Sequence, residues 1–217
     1  ANDGQLDSVI RQTTVHIQWV NDAPHVNVNA SGWPQTIPED ISASENTGIT
    51  IVSLVGNTAL SDTDVGAVFG IAITHVDEAN GQWQFDLGDG NGWRLVDGAW
   101  TSMSNALLLR ANSNNRIRFL PSLNFHGVAS ITFSAWDTSE GRSDGSRTSA
   151  AYISATGAFS PESKTMQWTI TPVNDAPVVP ASKIVELKSI LEDDMTSTGK
   201  WNKVSDIVAA TGITDVE

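Results

Sequence analysis

The sequence contains no cysteine, few basic residues and no long apolar run. The absence of cysteine from its 217 residues excludes a disulfide framework, a thiolate zinc site and a cysteine nucleophile. Only 12 lysines and arginines stand against 25 aspartates and glutamates, so the net charge of −13 argues against a broad nucleic-acid-binding face. The longest apolar stretch, 65–73, is far shorter than the roughly 20 residues that span a bilayer. Because no secretory leader pattern follows Ala1 either, we expect a soluble fragment of a longer protein.

An internal repeat organises the chain. The string Val-Asn-Asp-Ala-Pro occupies 20–24 and returns unchanged at 173–177, which is 153 positions later. Weaker similarities keep the same spacing, and they pair 38–40 with 191–193, 51–55 with 204–208, and 60–64 with 213–217. A constant spacing without slippage indicates a genuine repeat rather than coincidence.

The repeat predicts how the chain divides into units. Residues 25–177 would form one complete unit with its exit linker, long enough to fold alone. Residues 1–24 would be the last strand and linker of a preceding unit, and residues 178–217 the first part of a following unit. The chain is therefore interpreted as a window on a tandem array.

Short alternating runs predict an all-β fold for each unit. Polar and apolar residues alternate at 14–19, 70–74, 116–119, 129–134 and 165–170. These runs are rich in β-branched and aromatic residues, and Asn-Gly or Asp-Gly turn signals lie between them. Helix signals are confined to a short candidate at 205–211 and its counterpart at 52–58. Many short strands separated by such turns are typical of a β-sandwich.

Acidic residues cluster near the predicted junctions between units. Asn21 and Asp22 lie in the linker, Asp62 and Asp64 form an Asp-x-Asp pair, and Asp137 ends a predicted strand. Ca²⁺ binds roughly six to eight oxygens of carboxylates, amides and backbone carbonyls. Alternate side chains of an extended segment share a face, so an Asp-x-Asp pair can point at one ion. A lone aspartate is more often a turn former or a solvated charge, but clustered carboxylates that recur with the repeat repel each other and favour calcium.

A set of segments in a fixed order carries a family resemblance. The segments are 19–24, 61–64, 70–73, 81–84, 106–109, 116–121, 125–127 and 133–137. Together they resemble the cadherin-like tandem repeats of giant bacterial surface adhesins, including RTX-type biofilm and host-attachment proteins. The resemblance covers essentially all of 25–177, with both flanks in phase.

The resemblance implies a cadherin-like or immunoglobulin-like β-sandwich in a tandem array, stiffened by Ca²⁺ at its joints. Such a repeat would be an extracellular, non-enzymatic extender on the bacterial cell surface, with neighbouring repeats as partners and no nucleic acid or membrane insertion. At the upper junction the implied calcium ligands are Asn21, Asp22, Asp62, Asp64 and Asp137. At the lower junction they are Glu39, Asn174, Asp175, Asp215 and Glu217. Trp19 and Pro172 stand where cadherins carry an acidic residue, so fewer ions per junction than in cadherins are expected.

Catalysis and other metal sites find little support in the residue patterns. The four histidines lack a short metal-ligand spacing, and no Gly-x-Ser-x-Gly elbow or other nucleophile context occurs. The loop at 86–97 resembles an EF-hand only superficially, because its third position is Gly88 and its twelfth is Asp97. Paired Asp-Gly and Asn-Gly turns explain that loop better.

The eight tryptophans keep a second hypothesis open. Trp83 and Trp136 lie in strand contexts, where large aromatics usually serve burial. Trp33, Trp93 and Trp100 lie near turns and are better candidates for exposure. In this alternative the unit is a glycan- or protein-binding module of the same adhesin, and the turns from Asp86 onward recognise the ligand.

Overall fold

Four of the five alternating runs of the sequence form strands. The structure, a computed structural model, describes residues 4, 11–29, 35–56, 59–180, 184–186 and 203–215. The strands are β1 (His25–Val26), β2 (Gln35–Pro38), β3 (Ile49–Thr50), β4 (Leu60–Ser61), β5 (Gly70–Val76), β6 (Gly81–Asp86), β7 (Arg94–Leu95), β8 (Ala106–Arg110), β9 (Arg116–Pro121), β10 (Gly127–Trp136), β11 (Arg147–Thr148) and β12 (Phe159–Thr171). The helices are α1 (Ile51–Val55) and α2 (Val204–Thr211). The all-β prediction is confirmed.

Two larger sheets and one small one make up the fold. The six-stranded sheet has the order β11-β8-β5-β10-β12-β2, the four-stranded sheet the order β3-β9-β6-β7, and β1 pairs with β4. Pairing is antiparallel except between β12 and β2, which run parallel. The parallel pair brings the end of β2 to the same edge as the end of β12, where the exit linker begins.

The two larger sheets pack against one common hydrophobic core. Trp83 and Phe119 come from the four-stranded sheet, and Trp168 and Phe133 come from the six-stranded sheet. The rings of Trp83 and Trp168 meet edge to face, with centroids 4.8 Å apart. Burial of each such side chain contributes about 1.5–3 kcal/mol, so this core is the main source of stability.

A second, smaller core lies on the other face of the six-stranded sheet. Leu108 and Trp136 alternate with the main-core residues of their strands and pack against Phe159. Ala150 and Ala158, from the connection between β10 and β12, complete the cluster. This packing holds a long connection in place beside the entry linker.

The spacing of 153 residues recurs in the structure. Helix α1 starts at residue 51 and α2 at residue 204, and the pair His25↔Ser61 recurs as the bridge Val178↔Thr214. The helix ends differ, because Thr50 Oγ1 caps α1 by accepting from Ser53 N, whereas Lys203 gives α2 no side-chain cap. Neither helix in the described part of the chain has the length and apolar content that crossing a membrane would require.

One strand prediction is wrong. The alternating run 14–19 lies outside every strand, and residues 11–20 are exposed. Ile17 is 91% exposed, whereas Ile170, its counterpart 153 positions later, is 2% exposed between β10 and β2. Alternation provides an apolar face, but a strand forms only where neighbouring strands supply hydrogen bonds and cover that face.

Candidate metal centre

The structure brings all five upper-junction residues together. Asp62 follows β4, Asp137 follows β10, and the linker lays Asn21 and Asp22 between them. These four residues and Asp64 are called the upper acidic cluster below. Residues far apart in the sequence meet here because β4 and β10 end at the same edge of the fold as the incoming linker.

Short hydrogen bonds connect the members of this cluster. Asp22 N donates to Asp64 Oδ2 over 2.8 Å, and Asp64 N donates to Asp62 Oδ1 over 2.9 Å. The Asn21 side-chain amide donates to Asp137 Oδ2 over 2.8 Å, and Ser139 N donates to Asp137 Oδ1 over 2.9 Å. A carboxylate can accept about four hydrogen bonds, so each of these groups keeps capacity for a further ligand.

Oxygen atoms converge on the side-chain amide of Asn21. Its Nδ2 lies 2.8 Å from Asp137 Oδ2 and 2.9 Å from the Asp22 carbonyl oxygen. The carbonyl oxygens of Gly157 and Thr156 lie 3.2 and 3.5 Å away. A primary amide has only about two N–H groups to donate, so more oxygens gather here than the amide can satisfy. The position is rich in the carboxylate and carbonyl oxygens that a hard cation prefers.

Asp62 is the electrostatically strained member of the upper acidic cluster. Burial raises its pKa, and the carboxylates of Asp64, Asp137 and Asp22 raise it further, against the opposing hydrogen bond from the Asp64 backbone. Its Oδ2 is buried and has no hydrogen-bond partner among the described residues. A buried carboxylate oxygen without a partner is costly, so this atom has unused capacity for a ligand.

The cluster lines one wall of a cleft of about 240 Å³. Asp62, Asp64 and Asp137 form the acidic wall, and Val65, Val68 and the exposed Trp19 belong to the apolar part of the lining. A cation held by the acidic wall would therefore lie beside a tryptophan of the incoming linker.

The lower end of the unit centres on Glu39. This residue is 5% exposed, and its Oε1 accepts a hydrogen bond from Val173 N over 2.8 Å. Its Oε2 is buried without a hydrogen-bond partner among the described residues, and His126 Nδ1 lies 3.5 Å away. That distance is long for a hydrogen bond, so only a protonated imidazole would attract the oxygen appreciably.

Asp175 lies close to further acidic groups at this end. Partial burial raises its pKa, and the carboxylates of Asp40, Glu39 and Asp215 raise it further. Asn174 Nδ2 donates to the Asp175 carbonyl oxygen over 2.9 Å, as Asn21 does to that of Asp22. Of the predicted lower-junction residues, four therefore lie near each other, and Glu217 lies outside the described residues.

Some members of the two sites are absent from the sequence-based prediction. The carboxylate of Asp40 raises the pKa of Asp175. Its position next to Glu39 in the sequence could have predicted that it belongs to this site. The carbonyl groups of Thr156 and Gly157 had no such signal, because every residue carries a carbonyl and only packing places one in a site.

The donor chemistry fits calcium better than a transition metal. The groups that converge are carboxylates, amides and backbone carbonyls, which hard cations prefer, and no thiolate is present in the chain. In the part of the chain that the structure describes, no three His, Cys, Asp or Glu side chains are already arranged as a metal-binding group. The acidic side chains are instead held by backbone N–H groups, so a bound ion would draw them closer together.

The tryptophan turns of the alternative hypothesis differ in exposure. The guanidinium of Arg118 stacks on Trp93, 4.0 Å from the ring centroid, whereas Trp100 is 70% exposed. Trp33 lies outside the described residues. Trp93 therefore has a packing role, and the binding-module hypothesis stays a prediction that depends on Trp100.

The turn at 86–92 uses its carboxylates internally. Asp86 Oδ1 accepts from Gly88 N and Asp89 Oδ1 accepts from Asn91 N. The hydrogen bond with Arg94 lowers the pKa of Asp89 to about 2. These contacts agree with two successive turns.

Comparison with known proteins adds no family assignment to this geometry. The resemblance to cadherin-like repeats accordingly depends on the ordered segments of the sequence. No protein-family model, no curated protein and no solved structure was found to match the chain.

Proposed function

We propose that residues 25–177 form a cadherin-like β-sandwich repeat of an extracellular bacterial adhesin, and that Ca²⁺ stiffens its joints with neighbouring repeats. The observation that carries the proposal is the convergence of Asp62, Asp64 and Asp137 with the linker residue Asn21. The buried, unpartnered Asp62 Oδ2 supports it, since a cation would satisfy that atom.

The proposed role of the ion is to join the linker to the unit that follows it. Without a cation, burial raises the pKa of Asp62, and repulsion from the carboxylates of Asp64, Asp137 and Asp22 raises it further. A bound Ca²⁺ neutralises them and attracts oxygens of both the linker and the loops after β4 and β10. The Asn21 side chain can turn its amide oxygen toward such an ion. At 100 times its dissociation constant an ion adds about 2.7 kcal/mol to the ordered state.

The two ends of the unit supply complementary parts of one joint. Glu39 belongs to the lower end, so its counterpart in a preceding unit would reach the linker beside Asp22. Asp137 belongs to the upper end, so its counterpart in a following unit would reach Asp175. A complete joint in a tandem array would therefore include carboxylates from the unit before, the linker, and the unit after.

This function is mechanical rather than catalytic. The high negative charge keeps a long surface protein from aggregating, and the joints set its stiffness. In the proposed array the partners are the neighbouring repeats of the same chain, and the array carries an adhesive tip away from the cell surface.

Calorimetric titration with Ca²⁺ and small-angle scattering test this function. We expect saturable binding that is absent in chelator, a larger maximum dimension with Ca²⁺ for a chain of several repeats, and a higher melting temperature. Asp97→Asn, a change outside the upper acidic cluster and outside the acidic group around Glu39, is the matched control for charge and should leave calcium binding unchanged. Identical melting temperature and maximum dimension with and without chelator would refute the proposal.

A further inference from the structure

The entry linker is bound by a segment that contains no acidic residue. Ala23 N donates to the Ala155 carbonyl oxygen over 2.7 Å, and Asn21 Nδ2 lies 3.2 Å from the Gly157 carbonyl oxygen. Residues 151–157 are called the clasp below. Ala23 is 6% exposed and Pro24 is also buried, so this part of the linker is packed into the unit that follows it.

The clasp is itself well supported. Asp137 N donates to the Ala158 carbonyl oxygen over 3.1 Å, directly after the clasp. Ala150 and Ala158, which flank it, are buried in the small core around Trp136. Its own turn is closed by Gly157 N, which donates to the Ser154 carbonyl oxygen over 3.0 Å. The linker is therefore bound to an anchored element.

The exit linker is hydrogen-bonded to the unit that precedes it. Strand β12 ends at Thr171, and Val173 N still donates to Glu39 Oε1 over 2.8 Å. The next residue, Asn174, makes its side-chain hydrogen bond to the adjacent Asp175 carbonyl oxygen. Upstream anchoring by backbone hydrogen bonds therefore reaches Val173.

Because Val173 and Val20 are equivalent in the repeat, the two linkers can be read as one joint. A hydrogen bond ties the valine of the exit linker to the upstream unit, and hydrogen bonds tie the asparagine and alanine of the entry linker to the downstream unit. We propose that the clasp fastens each linker to the unit after it without any metal ion. The inference rests on the proposed tandem arrangement but not on calcium binding.

The second copy of the linker provides an internal comparison. Ala176 and Pro177 have the same sequence as Ala23 and Pro24 but are exposed, and Ala176 N makes no hydrogen bond to the described residues. Counterparts of the clasp would follow residue 177 by the same interval as 151–157 follow residue 24, beyond residue 217. Burial of the Ala-Pro pair therefore does not follow from the linker sequence alone.

Amide hydrogen exchange measured by NMR in chelator tests the clasp. We expect Ala23 to exchange about tenfold more slowly than Ala176, which corresponds to about 1.4 kcal/mol of local protection. Protection should begin at Asp22 and be absent from the amides of 11–20. If Ala23 and Ala176 exchange alike in chelator, and differ only after calcium is added, the clasp is refuted.

The variant Asn21→Ala sharpens this test, and Asn174→Ala is its matched control. Loss of the Asn21 side chain should speed exchange of Ala23 several-fold in chelator, whereas Asn174→Ala should leave Ala176 unchanged. Amides of β10 report whether the fold is intact in both variants. If Asn21→Ala leaves the exchange of Ala23 unchanged, the contact of the Asn21 side chain with the clasp does not hold the linker.

Failure of the two proposals can be told apart. Protection of Ala23 in chelator together with no detectable calcium binding would support the clasp and refute the proposed function. Calcium binding together with an unprotected Ala23 in chelator would support the proposed function and refute the clasp.

Discussion

The two copies of Val-Asn-Asp-Ala-Pro have the same sequence and different surroundings. In both, the asparagine side chain donates to the following aspartate carbonyl oxygen over 2.9 Å. Beyond this local contact they diverge, since Ala23 and Pro24 are buried and Ala176 and Pro177 are exposed. A hydrogen bond between adjacent residues follows from the sequence, whereas burial requires distant segments to arrive.

The two helices repeat this contrast. Ile51, Leu54 and Val55 of α1 are all buried, whereas none of α2 is. Both helices begin at equivalent positions, so the sequence sets where a helix starts. The sheets cover one face of α1 and not of α2, and in proteins most helix stability comes from such packing.

Replacement of Trp136 should have the largest effect on the difference in amide exchange rate between the two linkers. Trp136 is fully buried under the segment that carries the clasp, so Trp136→Ala should lower the free energy of unfolding by about 3–5 kcal/mol. It should also make Ala23 exchange as fast as Ala176. Urea unfolding measures the first effect, and Trp100→Ala, at an exposed indole, should change stability by only about 0.5 kcal/mol.

Asp62→Asn should weaken calcium binding more than Asp215→Asn, its equivalent in the second copy. Asp62 lies near Asp22, Asp64 and Asp137, whereas Asp215 is described near Asp175. We expect a loss of affinity on the order of 10–100-fold for Asp62→Asn, as measured by calorimetry. Equal losses in the two variants would show that the upper acidic cluster is not the stronger site.

Substitutions at the N-caps of the two helices should have opposite effects on helix stability. Thr50→Ala removes the hydrogen bond from Ser53 N and should destabilise the unit by about 1 kcal/mol. Lys203→Thr should add the missing cap to α2 and raise its helix content, as followed by NMR chemical shifts. An unchanged unfolding midpoint for Thr50→Ala would contradict this account of α1.

The dependence of stability on pH in chelator should be the smallest of these effects. The pKa of Asp62 is raised in the folded state, so the folded protein binds this proton more tightly than the unfolded chain. Stability should therefore fall as the pH rises from the ordinary aspartate range through the raised pKa of Asp62. Melting temperatures over this range should show the fall in the parent chain and less of it in Asp62→Asn. Calcium should reverse the trend, because it displaces the proton.

Much of the fold could be predicted from the residue pattern. The runs at 70–74, 116–119, 129–134 and 165–170 all lie within strands. The run 165–170 alternates because its strand buries one face, whereas 70–74 is buried on both faces, between the two cores. The run at 14–19 has the same alternation and forms no strand among the described residues. Parallel pairing of β2 with β12 also had no local signal, since it joins segments far apart in the chain.

The candidate site was predictable in its acidic side chains and not in its other groups. Asp62, Asp64 and the linker residues can be recognised from their type, spacing and recurrence, and Asp137 from its place at the end of a predicted strand. The clasp carbonyl groups and the orphan oxygens of Asp62 and Glu39 do not, because they are defined by what lies around them.

Residue types and their spacing dictate the repeat, the positions of strands and helices, and the acidic residues available to a cation. Packing alone decides which aspartates meet, which of two identical linkers is buried, and which carboxylate oxygens lack a partner. The reason is physical: periodicity and turn chemistry act over a few residues, whereas burial and clustered charge depend on segments that only folding brings together.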